Sequence, residues 1–205
     1  MIQFTPVVVP YVTAFVISVV LFIALWRHRD RRGAKGFLLD VSGLVLLSAT
    51  VSLQLLSTSE RWTVFWWNWR FAAVSLMAIG YFLMALEYTN REEYITYRRG
   101  AALFVVPVVT QVFAWTNDQH GLLYEYSISP AGYFVPEFGI LYWVYAIPLL
   151  TIVGIGMVNL VRLFLSMPDF KLQAGVPAVT IAIVLLGLCV WWLGIIPFDT
   201  LALTS

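Results

Sequence analysis

Arg70 is the first residue to consider for chemistry, because it lies inside an apolar stretch running from about Val64 to Leu86. If that stretch is a helix, Arg70 lies six or more residues in from its end, about 10 Å at 1.5 Å per residue. A cation that far into an apolar environment costs at least a few kcal/mol unless it is paired or wet. The functional reading is a floor residue that binds an anionic ligand group in an outward-opening pocket. The structural alternatives are an internal ion pair, or snorkelling toward headgroups. Asp118, Glu125, Glu137 and Asp199 are the acids on the same side that could answer it.

Trp62, Trp66 and Trp69 share one helical face, with Arg70 beside it. They could line an aromatic pocket, or form the aromatic belt found where helices leave a bilayer. Thr116-Asn-Asp-Gln-His120 gathers further polar groups on the same side. His120 changes charge near neutral pH, although a helix C-cap closed by Gly121 explains the segment equally well. The candidate ligand-binding set is Trp66, Arg70, Asn117, Asp118, His120 and Asp199. His28 and His120 fall on opposite sides, so no histidine pair is available for a metal. No metalloprotease, nucleophile-elbow or phosphate-loop motif occurs. Both lysines, Lys35 and Lys171, lie in loops, which excludes an intrabundle Schiff base. No cofactor is expected, no enzymatic activity, and no nucleic-acid partner.

The elements that hold these residues follow from hydropathy. Of 205 residues, 61% are hydrophobic and 11% charged, against about 25% charged in a soluble domain. The chain reads as an all-α, polytopic transmembrane bundle, one domain over residues 1–205. A span needs about 20 apolar residues. Six segments qualify: about Val7–Trp26, Phe37–Leu56, Val64–Leu86, Ala101–Trp115, Ile140–Leu165 and Gly175–Gly194. Arg27, Arg29, Arg31, Arg32, Lys35, Arg91, Arg98, Arg99, Arg162 and Lys171 all fall on one side of this threading. The positive-inside rule makes that side cytoplasmic and puts the N-terminus outside. Met1 to Pro10 has no basic residue, which argues against a cleaved signal peptide.

The longest loop, 116–139, lies on the outer side. Its alternating aromatic residues around Pro130 and Gly132 predict a small extracellular hairpin that caps the bundle. Gln54, Gln111 and Asn159 should bond between helices. Pro107, Pro148 and Pro177 should kink theirs, with Pro148, Gly154 and Gly156 marking a hinge in the fifth.

Phe82-Leu-Met-Ala-Leu-Glu-Tyr-Thr89, Val106-Pro-Val-Val-Thr110 and Thr116-Asn-Asp-Gln-His-Gly-Leu122 together resemble the N-terminal seven-transmembrane sensor region of prokaryotic histidine kinases. Arg70 in its Trp-rich helix, Tyr142-Trp143 and Pro197-Phe-Asp199 fit the same pattern, and the resemblance runs through nearly the whole chain. It implies a membrane sensor joined to a cytoplasmic signalling module. The family's Thr-Asn-x-x-His falls here on Thr116, Asn117 and His120, and its Pro-Phe-Asp on Pro197, Phe198 and Asp199. The sequence departs from the pattern at its end, where a seventh helix would start, and it carries no kinase.

The expected function is therefore sensory. A small ligand, or the membrane itself, would act on the outer halves of helices three to six and shift their relative positions. The expected partners are the lipid bilayer, an unknown small ligand, and a cytoplasmic signalling partner or a second copy of the chain. The alternatives are a small-solute transporter, which would place polar groups near the midplane, and a structural or partner-binding subunit. The five basic residues between Arg27 and Lys35 could serve the latter by binding anionic lipid.

Overall fold

The structure is a computed structural model that describes residues 8–94, 96–128 and 134–166. Helix α1 spans Val8–Trp26, α2 Ala34–Leu56, α3 Glu60–Tyr88, α4 Tyr97–Leu103 and α5 Val105–Trp115. A single turn, α6, covers Asn117–His120. Strands β1 (Tyr124–Ile128) and β2 (Phe134–Phe138) follow, and then α7 (Ile140–Ser166).

By length and composition, α1, α2, α3 and Ile140–Leu163 of α7 are fit to cross a membrane. Their outward faces are apolar. Val12, Val16, Ile17, Val20 and Ile23 of α1 are exposed, as are Val144, Ile147 and Val158 of α7. Water would not tolerate apolar faces so extended, whereas lipid does. The protein is membrane-integral.

The expected fourth span is not one continuous helix. It divides into α4 and α5 at Phe104, with Pro107 two residues into α5. Proline has no N–H, and its ring crowds the carbonyl four residues back, here that of Leu103. The ladder therefore breaks where α4 ends. Pro148 has no such effect, since α7 runs unbroken through it. The expected sixth span, 175–194, lies outside the described residues, as do Pro177 and Asp199.

Helix α3 is the centre of the bundle, with α2, α5 and α7 packed around it. Against α2 the approach is backbone to backbone. A Cβ built on Gly80 would lie 2.2 Å from Asp40 N, and one built on Gly36 2.3 Å from Met84 N. Only glycine permits that crossing, the small-residue packing by which helices associate in lipid. Toward α7, Phe71 packs with Tyr145, Ala146 and Leu149, and further along Tyr81, Met84 and Ala85 pack with Leu160.

Strands β1 and β2 form an antiparallel ribbon, Tyr124 opposite Phe138 and Ile128 opposite Phe134. The expected alternation holds. Tyr124 is buried beneath the ribbon, while Glu125 and Glu137 sit directly opposite each other and exposed. The ribbon lies at the end of the bundle where α3 begins. The residue 27–33 connection, Arg91, Arg99 and Arg162 lie at the other end.

Candidate functional site

Four neighbouring residues of α3 build the site. A helix turns about 100° per residue, so Trp67, Arg70 and Phe71 share a broad face with Asn68 to one side, and all but partly buried Arg70 are buried. Trp67 faces the ribbon, with its ring centroid 4.9 Å from that of Phe134. Asn68 accepts from the Tyr124 hydroxyl at 2.6 Å. Its backbone carbonyl accepts from Gln111 Nε2 at 3.2 Å. The Phe71 carbonyl accepts from the Tyr145 hydroxyl at 2.8 Å.

Arg70 faces α2. Its Nη2 donates to the side-chain oxygen of Gln54. Its guanidinium carbon sits over the Trp67 ring, 4.6 Å from the centroid. Residues three apart stack on one helix face, and the ring face attracts the cation. Both of these partners are neutral. Arg70 Nε, Trp67 Nε1 and Gln111 Oε1 are buried without a hydrogen-bond partner among the described residues. Buried polar atoms are nearly always satisfied. Arg70 Nε and Trp67 Nε1 are therefore donors that call for an acceptor, and the charge of Arg70 calls for an anionic one. In α3 as it stands, Arg70 is ten residues from Glu60, about 15 Å along the axis. The first four of those residues, Glu60 to Thr63, precede the apolar run, so the depth of Arg70 counted from Val64 is unchanged.

The other sequence candidates divide. Trp66 packs on Trp62 and Phe65, so the ring beneath Arg70 is Trp67 instead. Asn117 is buried and ties down the chain entering β1. It donates to the Tyr124 carbonyl at 2.7 Å and accepts from the N–H groups of Leu123 and Tyr124. His120 Nδ1 accepts from the Leu122 N–H at 3.0 Å, and its Nε2 is 3.2 Å from Thr116 Oγ1. A backbone N–H can only donate, so the imidazole proton belongs on Nε2. Gly121 follows with φ 61, the left-handed helix end expected of it. Asp118 is exposed, and Asp199 lies outside the described residues. Gln54 and Gln111 bond between helices as expected, but Asn159 bonds back to Ile155 within α7.

Tyr124 is the residue that sequence reasoning missed. Burial pushes its phenol well above the ordinary range, and the charges of Asp118 and neighbouring Tyr126 add to this, against the bond to Asn68. It is a neutral donor at any physiological pH. Trp67 could have been found from its spacing of three before Arg70. Nothing in the sequence pairs Tyr124 with Asn68.

A family model described as the N-terminal 7TM region of histidine kinase matches residues 10–205. The chain belongs to that family. No curated protein matches the chain, and no solved structure does. The histidine kinase 7TM region is the sensory part of those proteins rather than the catalytic part. The match takes in α3, the ribbon and every candidate residue named above.

Proposed function

We propose that this chain is the signal-receiving membrane domain of a prokaryotic signalling protein, and that it takes a small ligand with an anionic group beside Arg70. The observation that carries the reading is the company Arg70 keeps: a buried-helix cation whose described partners, Gln54 and Trp67, are both neutral. Charge in an apolar bundle needs compensation, and an anionic ligand supplies it. Membership of a sensory family supports the same reading.

In this proposal the bundle has six spans in this chain, with the N-terminus and the ribbon outside and the arginine end in the cytoplasm. The ribbon covers the mouth of the site. Trp66, Asp118, His120 and Asp199 line its outer part, and Asn117 holds the covering strand in place. Ligand binding shifts α3 against α2 and α7, and a cytoplasmic output module reads the shift. The ligand drives it only through a difference in affinity between two states.

Native mass spectrometry of the purified chain tests this, with Arg70→Ala and Asp199→Asn beside the wild type. A small anionic molecule retained by the wild type and by Asp199→Asn, and lost from folded Arg70→Ala, is the expected result. No retained molecule, with Arg70→Ala and Asp199→Asn destabilising the chain to the same extent and non-additively, would make the pair an internal ion pair and refute the ligand site.

A further inference from the structure

Open space lies at the end of the bundle opposite the ribbon. Two adjoining grooves, of about 400 and 320 Å³, lie against α7 and share Arg91, Ile155 and Asn159. They are within the size range of small-molecule sites. We propose that this groove holds an anionic phospholipid, with its phosphate among Arg91, Arg99 and Arg162 and an acyl chain along the apolar wall.

The three arginines come from three elements. Arg91 follows the end of α3, Arg99 is on α4, and Arg162 is three turns from the start of the groove on α7. Arg91 is aimed by the way α3 ends. Asn90 takes φ 59, the Asn90 N–H bonds to the Glu87 carbonyl and the Arg91 N–H to the Leu86 carbonyl. That is the Schellman closure, which turns the chain sharply across the helix end. Among the described residues the groove walls contribute three cations and no carboxylate, so their charge selects an anion.

The rest of the lining favours a lipid over a free phosphate as the occupant. Phe82, Leu86 and Leu103 form one wall, and Ile155 and Val158 the other. Cationic heads above an apolar channel match a molecule with an anionic head and a hydrocarbon tail. Basic pockets between helices are how membrane proteins hold such lipids. The space is also open at its walls. A Cβ built on Gly154 or on Gly100 meets nothing within 4 Å, and each glycine lines one of the grooves.

The test is native mass spectrometry of the full chain after exchange from nanodiscs of equal phosphatidylglycerol and phosphatidylcholine. The wild type is expected to keep phosphatidylglycerol in preference to phosphatidylcholine. Arg99→Gln/Arg162→Gln should lower that retention about thirty-fold. All three arginines are exposed, so these changes spare the core. Gly154→Leu, which fills the groove without removing charge, should also displace the lipid, and Arg29→Gln, away from the groove, should not. Equal retention of the two lipids, retention unchanged in the arginine and Gly154 variants, or loss matched by Arg29→Gln would each overturn the proposal. The readout is independent of Arg70, so a failed ligand search there leaves this result standing.

Discussion

The Tyr124 hydroxyl donates to Asn68 Oδ1 over 2.6 Å, joining the first strand of the ribbon to the central helix across 56 residues of sequence. Both groups are buried. The ribbon is thereby fastened to the same turn of α3 that carries Arg70. Removing the phenol oxygen in Tyr124→Phe strands the Asn68 acceptor, at a cost of about 1–3 kcal/mol. Thermal unfolding in detergent should register that loss. Tyr124→Phe combined with Asn68→Leu should recover part of it, because no acceptor is then left unpaired. Additive losses would show that the two residues act separately.

The glycine crossing predicts an asymmetry within one experiment. Gly80→Leu must drive a side chain into the Asp40 backbone, and overpacking against backbone has no rotamer escape. It should abolish folded protein or separate α2 from α3. Gly154→Leu meets open space and removes a helix-weakening glycine. It should keep or raise stability. Size-exclusion profiles of the two variants side by side decide the matter, and equal behaviour would mean that the crossing is looser than described.

Arg70→Lys tests the geometry of its site as well as its charge. A lysine keeps the cation but loses the planar donor set that reaches Gln54 while lying flat on Trp67. The variant should fold and lose most of whatever ligand response the wild type shows. Gln54→Leu should weaken the response less, because Trp67 still orients the guanidinium. A full response in Arg70→Lys would reduce the role of Arg70 to that of a point charge.

Tyr126 gives a pH prediction at the ribbon end. Its hydroxyl donates to Glu60 Oε1 at 2.8 Å. That bond raises the phenol above its ordinary value of 10.0, helped by partial burial and the charges of Glu60 and Asp118. The folded state therefore holds the proton more tightly than the unfolded one. The contribution to stability is complete below the unfolded value and fades as pH rises through the raised folded value. Phenolate absorbance, taken as the difference between wild type and Tyr126→Phe, should show late ionisation that moves toward 10 in Glu60→Gln. An unmoved titration in Glu60→Gln would remove Glu60 as the cause.

Much of this architecture was present in local sequence. Long apolar runs, the alternating aromatics of 124–138 and Gly121 as a helix end each depend on neighbours a few residues apart. Pro107 was expected to kink a span and instead sits just past its division, where its ring crowds the Leu103 carbonyl at the end of α4. The isolation of Arg70 in an apolar run also marked it from sequence alone. Its described partners were not marked, because Asp118, Glu125 and Glu137, placed on its side by topology, are not the groups that packing brings to it. Gln54 arrives from α2 through the glycine crossing, Trp67 from the turn below.

By itself, then, the sequence determined that the chain lives in a membrane, where most of its helices fall, and that one cation lies deep among them. Those properties rest on hydropathy and on periodicities of two to four residues. Tertiary structure alone decided that Tyr124 fastens the ribbon to Asn68 and that Arg91 shares one groove with Arg162 and the adjoining one with Arg99. The residues involved are tens of positions apart, and side chains so separated meet only where helix packing and chain reversal bring their backbones together.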